Sequence, residues 1–160
     1  MRITVFMGSA SGHDPAHLQT ATQFGRDLAA AGIGLVYGGG RVGLMGAVAD
    51  AVVAGGGETV GVIPRHLADK EIAHPGLSTL EVVESMHVRK QRMAELADAF
   101  VVLPGGAGTL DEFFEIVTLI QTEKIRKVPI VLFGKAYWSG LTDFIKKQFS
   151  FFFLISSVSS

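Results

Sequence analysis

The sequence predicts an α/β domain of Rossmann-like, doubly wound architecture, with a parallel sheet of six or seven strands and helices on both faces. Three observations carry this. Short apolar, β-branched runs recur along the chain, helix-period segments alternate with them, and three strand ends run into glycine-rich loops. Strands that are apolar on both faces belong to a parallel sheet covered on both sides and joined by right-handed crossovers.

Taken in order, the first strand is predicted at Ile3 to Phe6, followed by the loop Gly8-Ser9-Ala10-Ser11-Gly12 and a helix from Ala16 to Ala31. The second strand, Ile33 to Tyr37, opens into Gly38-Gly39-Gly40-Arg41-Val42-Gly43-Leu44-Met45-Gly46 and a helix over Leu44 to Ala54. Thr59 to Ile63 forms a third strand. The stretch Pro64 to Thr79 is long for a connection and is expected to be a mobile flap. Leu80 to Val83 and Ala99 to Leu103 are strands either side of a helix from Val88 to Ala97. The fifth strand ends in Pro104-Gly105-Gly106-Ala107-Gly108-Thr109, with a helix over Leu110 to Thr122, a sixth strand at Pro129 to Phe133 and a last helix from Trp138 to Lys147. Residues 1–148 read as one nucleotide-binding catalytic domain. Residues 149–160 (FSFFFLISSVSS) are an atypical tail with an apolar run about one strand long.

Composition bounds the partners. With 48% hydrophobic and 18% charged residues the chain is not disordered, and 20 glycines in 160 residues exceed the usual share of about 7%. A net charge of -1 gives no electrostatic footprint for nucleic acid or an anionic membrane, though a small anion can still be held locally. No run reaches the roughly 18 apolar residues needed to span a bilayer, and MRITVFM enters Gly8 without a signal-peptide cleavage region. The absence of cysteine is compatible with a reducing compartment, so a cytoplasmic location is expected.

Glycine lets a strand-to-helix loop approach a phosphate, and the free amides and dipole of the next helix hold the anion. One such loop is equally a tight turn; three together favour a nucleotide phosphate. The loops lack the G-x-G-x-x-G spacing and the acidic second-strand end of a dinucleotide site, and there is no G-x-x-x-x-G-K-S/T, so no bound cofactor is expected. Of the five histidines only His13 and His17 have metal-ligand spacing. They open a helix beside Asp14 and Pro15, where capping fits better, and no metal is predicted.

Two readings of Glu112 stay open. Thr109-x-x-Glu112 spells a capping box in which Thr109 caps the helix. Alternatively, Glu112 is a carboxylate with a catalytic task beside a phosphate pocket, balanced by Arg89 and Lys90 from Ser85-Met86-His87-Val88-Arg89-Lys90. There Met86, Arg89, Lys90 and Met93 share one helix face.

These segments together, Pro104 to Glu112, Met86-His87-Val88-Arg89-Lys90 and Gly38 to Gly46, resemble the LOG family over about Ile3 to Lys147; the chain departs from the family pattern beyond Lys147. The family's members are cytokinin riboside 5′-monophosphate phosphoribohydrolases, long labelled lysine decarboxylases. The resemblance implies hydrolysis of the N-glycosidic bond of an adenosine 5′-monophosphate, often N6-substituted, giving a free base and ribose 5-phosphate. It matches Arg89 and Glu112 to the family's catalytic pair and Gly105, Gly106, Gly108 and Thr109 to its phosphate loop. Gly8, Ser9, Gly39, Gly40, Gly43, Met86 and Lys90 complete the expected binding set. It also implies a homodimer. The competing class is a Rossmann-like nucleotide or molybdenum-cofactor carrier, which uses glycine loops but has no need of a carboxylate at position 112.

Overall fold

In the computed structural model, which describes residues 1–12, 14–68, 73–148 and 155–158, every predicted strand is present within about two residues of its expected bounds. These are β1 (Arg2–Phe6), β2 (Gly34–Tyr37), β3 (Thr59–Pro64), β4 (Thr79–Val83), β5 (Ala99–Val102) and β6 (Ile130–Phe133). A seventh, β7 (Ile155–Val158), comes from the tail and pairs with β6. The helices are α1 (Pro15–Ala30), α2 (Gly43–Ala54), the single turn α3 (Arg65–Ala68), α4 (Met86–Glu95), α5 (Ala107–Gln121) and α6 (Lys135–Gln148).

All seven strands are parallel, in the order β4-β3-β2-β1-β5-β6-β7. The chain therefore winds outward from β1 to β4, returns to place β5 beside β1, and winds outward the other way. Between β1 and β5 the winding reverses, and the loops leaving their carboxyl ends diverge to opposite faces, which opens a crevice there.

Side chains alternate across the sheet, so β1 sends Val5 to one face and Phe6 to the other. Val5, Leu35 and Tyr37 pack with Phe24 and Leu28 of α1 and Val48 and Val52 of α2. Phe6, Val102 and Leu132 pack with Met93 of α4, Phe113 and Ile116 of α5 and Trp138 of α6. Ser85 caps α4 by accepting from the Val88 amide at 3.2 Å, so this helix begins two residues before its predicted start. Near its other end, the buried Thr4 hydroxyl donates to the Met93 carbonyl at 2.8 Å and fixes α4 on β1.

The stretch after β3, expected as a flap, is tied down where it is described. It begins with α3, bridges back from Ala73 to Gly40, and buries His74. No helix among the described residues is long and apolar enough to cross a membrane. His13, residues 69–72 of the expected flap, and 149–154 and 159–160 of the tail lie outside the described residues.

Candidate active site

The three glycine loops meet at the crevice, and steric contact dictates their composition. The Gly8 amide donates to the Pro104 carbonyl at 3.1 Å, joining the loops after β1 and β5. A Cβ on Gly105 would fall 2.1 Å from the Thr109 hydroxyl oxygen and 2.9 Å from the Gly8 nitrogen, so no larger residue fits. A Cβ on Gly43 would lie 2.2 Å from the Ser9 carbonyl, at a φ of +61° that itself favours glycine. Gly8, Ser9, Gly43, Gly105 and Thr109, drawn from three loops by sequence alone, are thus in mutual contact. Gly39 and Gly40 face the other way: the Gly39 carbonyl accepts from the His74 amide and Gly40 bridges to Ala73.

At the fifth strand the helix starts earlier than the capping-box reading requires. Gly106 is the N-cap of α5 and offers no side chain, which puts Thr109 inside the first turn and Glu112 a further turn along. The capping box is therefore not formed, and the structural role proposed for Glu112 falls away. The amides of Ala107, Gly108 and Thr109 have no intrahelical acceptor and no side-chain cap, so they present an anion-attracting helix end. A Cβ at Gly106 or Gly108 would meet nothing within 4 Å, so their backbones border open space.

Glu112 is half-buried, and that burial pushes its carboxyl up to about 7, against the pull of the Arg89 and Lys90 charges. Asp111 and Glu115 add to the upward push. Near neutral pH the group is divided between acid and carboxylate, a poise suited to proton transfer.

Arg89 is buried, at 6% exposure. One Nη donates to the Met86 sulfur at 3.6 Å; among the described residues its Nε has no partner and no carboxylate lies within ion-pair distance. The guanidinium lies against the second loop, where a Cβ on Gly38 would sit 1.9 Å from Nη2. Lys90 points elsewhere: its ammonium bridges Asp111 at 2.5 Å and Glu115 at 2.7 Å. That clamp joins α4 to α5 beside Arg89 and Glu112, the next residues along each helix.

The crevice of about 490 Å³ at the switch point is lined by Gly8 to Gly12, Asp14, Leu44 and Pro104 to Gly106, together with His17 and with Tyr137, which carries no sequence signal. Tyr137 donates its hydroxyl to the Gly105 carbonyl at 2.8 Å, and His17 stands edge-on to its ring at 5.5 Å. Nothing in the sequence relates Tyr137 to a loop 32 residues upstream; only the packing of α6 does. Capping at α1 falls to Asp14, which accepts from the Ala16 amide, and not to His17.

Comparison with known proteins places this geometry. Residues 45–157 match the family profile described as possible lysine decarboxylase. The cytokinin riboside 5′-monophosphate phosphoribohydrolase LOG7 of Arabidopsis thaliana is 46% identical over 146 residues, 91% of this chain and 67% of that protein. The cytokinin riboside 5′-monophosphate phosphoribohydrolase of Rhodococcoides fascians is 46% identical over 145 residues, covering 90% and 73%. Among solved structures, the molybdenum cofactor binding protein of Rippkaea orientalis superposes with a TM-score of 0.73 at 22% identity, over 99% of this chain and 89% of that one. The molybdenum cofactor carrier protein of Chlamydomonas reinhardtii gives 0.70 at 22% identity, over 98% and 88%. At such identity the likeness is one of fold, whereas the 46% relatives, matched over two thirds or more of their own length, show the family: this chain belongs to the LOG family.

Proposed function

We propose that the protein hydrolyses the N-glycosidic bond of an adenosine 5′-monophosphate, with N6-substituted bases as the preferred class, to a free base and ribose 5-phosphate. The observation that carries this is a buried guanidinium with no carboxylate on it among the described residues, close enough to a desolvated carboxyl to shift its ionisation, beside the glycine loops. The bare amides of α5 and the loops around Gly8 and Gly105 receive the 5′-phosphate. Binding energy from that remote group lowers the barrier at the ribose.

As the bond from ribose C1′ to the base nitrogen breaks, positive charge grows on the sugar. The Glu112 carboxylate stabilises it and takes a proton from the attacking water, while the electron pair leaves with the base, which gains a proton. Arg89 contacts the nucleotide and favours the charged form of Glu112. Asp111 and Glu115 are held by Lys90, so that lysine serves by fixing α4 against α5.

The same reading has a cytoplasmic homodimer joined along α4 and α5, supported by the exposed Val88 and Phe114 on those helices. The chemistry is tested by incubating the purified protein with AMP and N6-isopentenyl-AMP. Free base and ribose 5-phosphate in equal amounts are expected. Absence of both products with either nucleotide overturns the reading.

A further inference from the structure

In the described part of the β3–β4 connection, residues 73–78, one buried side chain fastens the chain. His74 is 7% exposed; its Nδ1 accepts from the Gly76 amide at 3.1 Å, which leaves Nε2 to donate to the Asp50 carboxylate of α2 at 2.8 Å. The His74 amide donates to the Gly39 carbonyl at 3.1 Å, and the neighbouring Ala73 bridges to Gly40. Gly39 has a φ of +79°, and a Cβ there would meet Leu80, Ile63 and Gly61 at 3.3, 3.4 and 3.6 Å. The Arg89 guanidinium lies against Gly38 of the same loop. Asp50 is thereby coupled to Arg89 through His74 and the three consecutive glycines. It also acts on the end of β2, because its charge, after burial, helps to push the ionisation of Tyr37 up.

We propose that His74 and Asp50 are positioning residues for turnover: their hydrogen bond latches the β3–β4 connection onto the Gly38–Gly40 loop and so sets the place of the Arg89 guanidinium. This rests on the hydrolase reading for its kinetic consequence, but the placement of Arg89 stands apart from it. Among the described residues the Arg89 guanidinium has only a weak sulfur contact and no partner on Nε, so a shift of the glycine loop it lies against moves it directly. A displacement of the order of 1 Å at a catalytic group costs up to about a hundredfold in rate.

The test uses Asp50→Ala, Asp50→Asn and His74→Ala in the full chain. Asp50 is exposed, so its variants probe the latch without opening the core. The buried Arg89 Nε–H gives a nitrogen-15 resonance that Arg89→Lys removes, which assigns it. Asp50→Ala and His74→Ala are expected to shift that resonance and lower kcat about tenfold, with the double variant no worse than either alone. Asp50→Asn keeps an oxygen acceptor and is expected to remain within about twofold of the parent, with the resonance unmoved. An unmoved Arg89 signal in both Asp50→Ala and His74→Ala overturns the latch whatever the activity. A shifted signal with unchanged kcat overturns its role in turnover. If the parent protein itself releases no base, the hydrolase reading fails while the resonance still decides the latch.

Discussion

A carboxyl pushed up to about 7 by burial, with the charge of a buried arginine acting on it, makes two signed predictions. If the ionised form of Glu112 does the work, kcat/KM rises with pH through about 7 and levels above it. Arg89 draws that value down, so Arg89→Met is expected to move the inflection upward, on top of any loss of rate, in a profile measured from pH 5 to 9. The second prediction concerns stability. A folded value above the ordinary 4.5 means that charging Glu112 destabilises the fold. The cost is absent below 4.5, grows as pH rises to about 7, and is constant above. Glu112→Gln is therefore expected to stabilise the protein at pH 8 by roughly 1 to 3 kcal/mol, with little effect at pH 4. Thermal melts at the two pH values check it. Arg89 and Glu112 stand out in the sequence because each lies in a motif beside a strand end. What Lys90 does was hidden, since its partners Asp111 and Glu115 sit a helix away. Of the two readings of the Thr109-x-x-Glu112 spacing, the capping box does not form because the cap position goes to a glycine three residues earlier.

At the scale of elements, the glycines divide by what surrounds them. Gly105→Ala would drive a methyl into the Thr109 hydroxyl and the Gly8 amide, and is expected to weaken AMP binding and lower stability together. Gly140 lies within α6 with open space around it, so Gly140→Ala is expected to stabilise by about 0.5–1 kcal/mol and leave activity unchanged. Calorimetry with AMP titration separates the two. Alternation of apolar runs and helical periods made the regular elements legible, and Ser85 explains why α4 starts early. The single turn α3 and the pinning at His74 were not legible. Four residues are too few to show a period, and the bond to Asp50 spans 24 residues between two elements.

For the whole molecule, the decisive feature is the reversal between β1 and β5, which brings glycine loops from distant parts of the chain to one crevice. Solved structures of molybdenum cofactor binding and carrier proteins share the fold; what the proposed hydrolysis adds is a desolvated carboxyl at position 112 with the Arg89 charge acting on it. If α4 and α5 join two copies, light scattering at micromolar concentration should report a dimer, and Phe114→Lys should weaken it and lower activity alongside. A fully active monomer would defeat the dimer. The central claim is tested most directly by measuring free base released from N6-isopentenyl-AMP by the parent protein and by Glu112→Gln, with nucleotide binding measured on both. The account predicts that Glu112→Gln binds the nucleotide within a few-fold of the parent and loses turnover by about a hundredfold or more. Near-parental turnover in Glu112→Gln would contradict it.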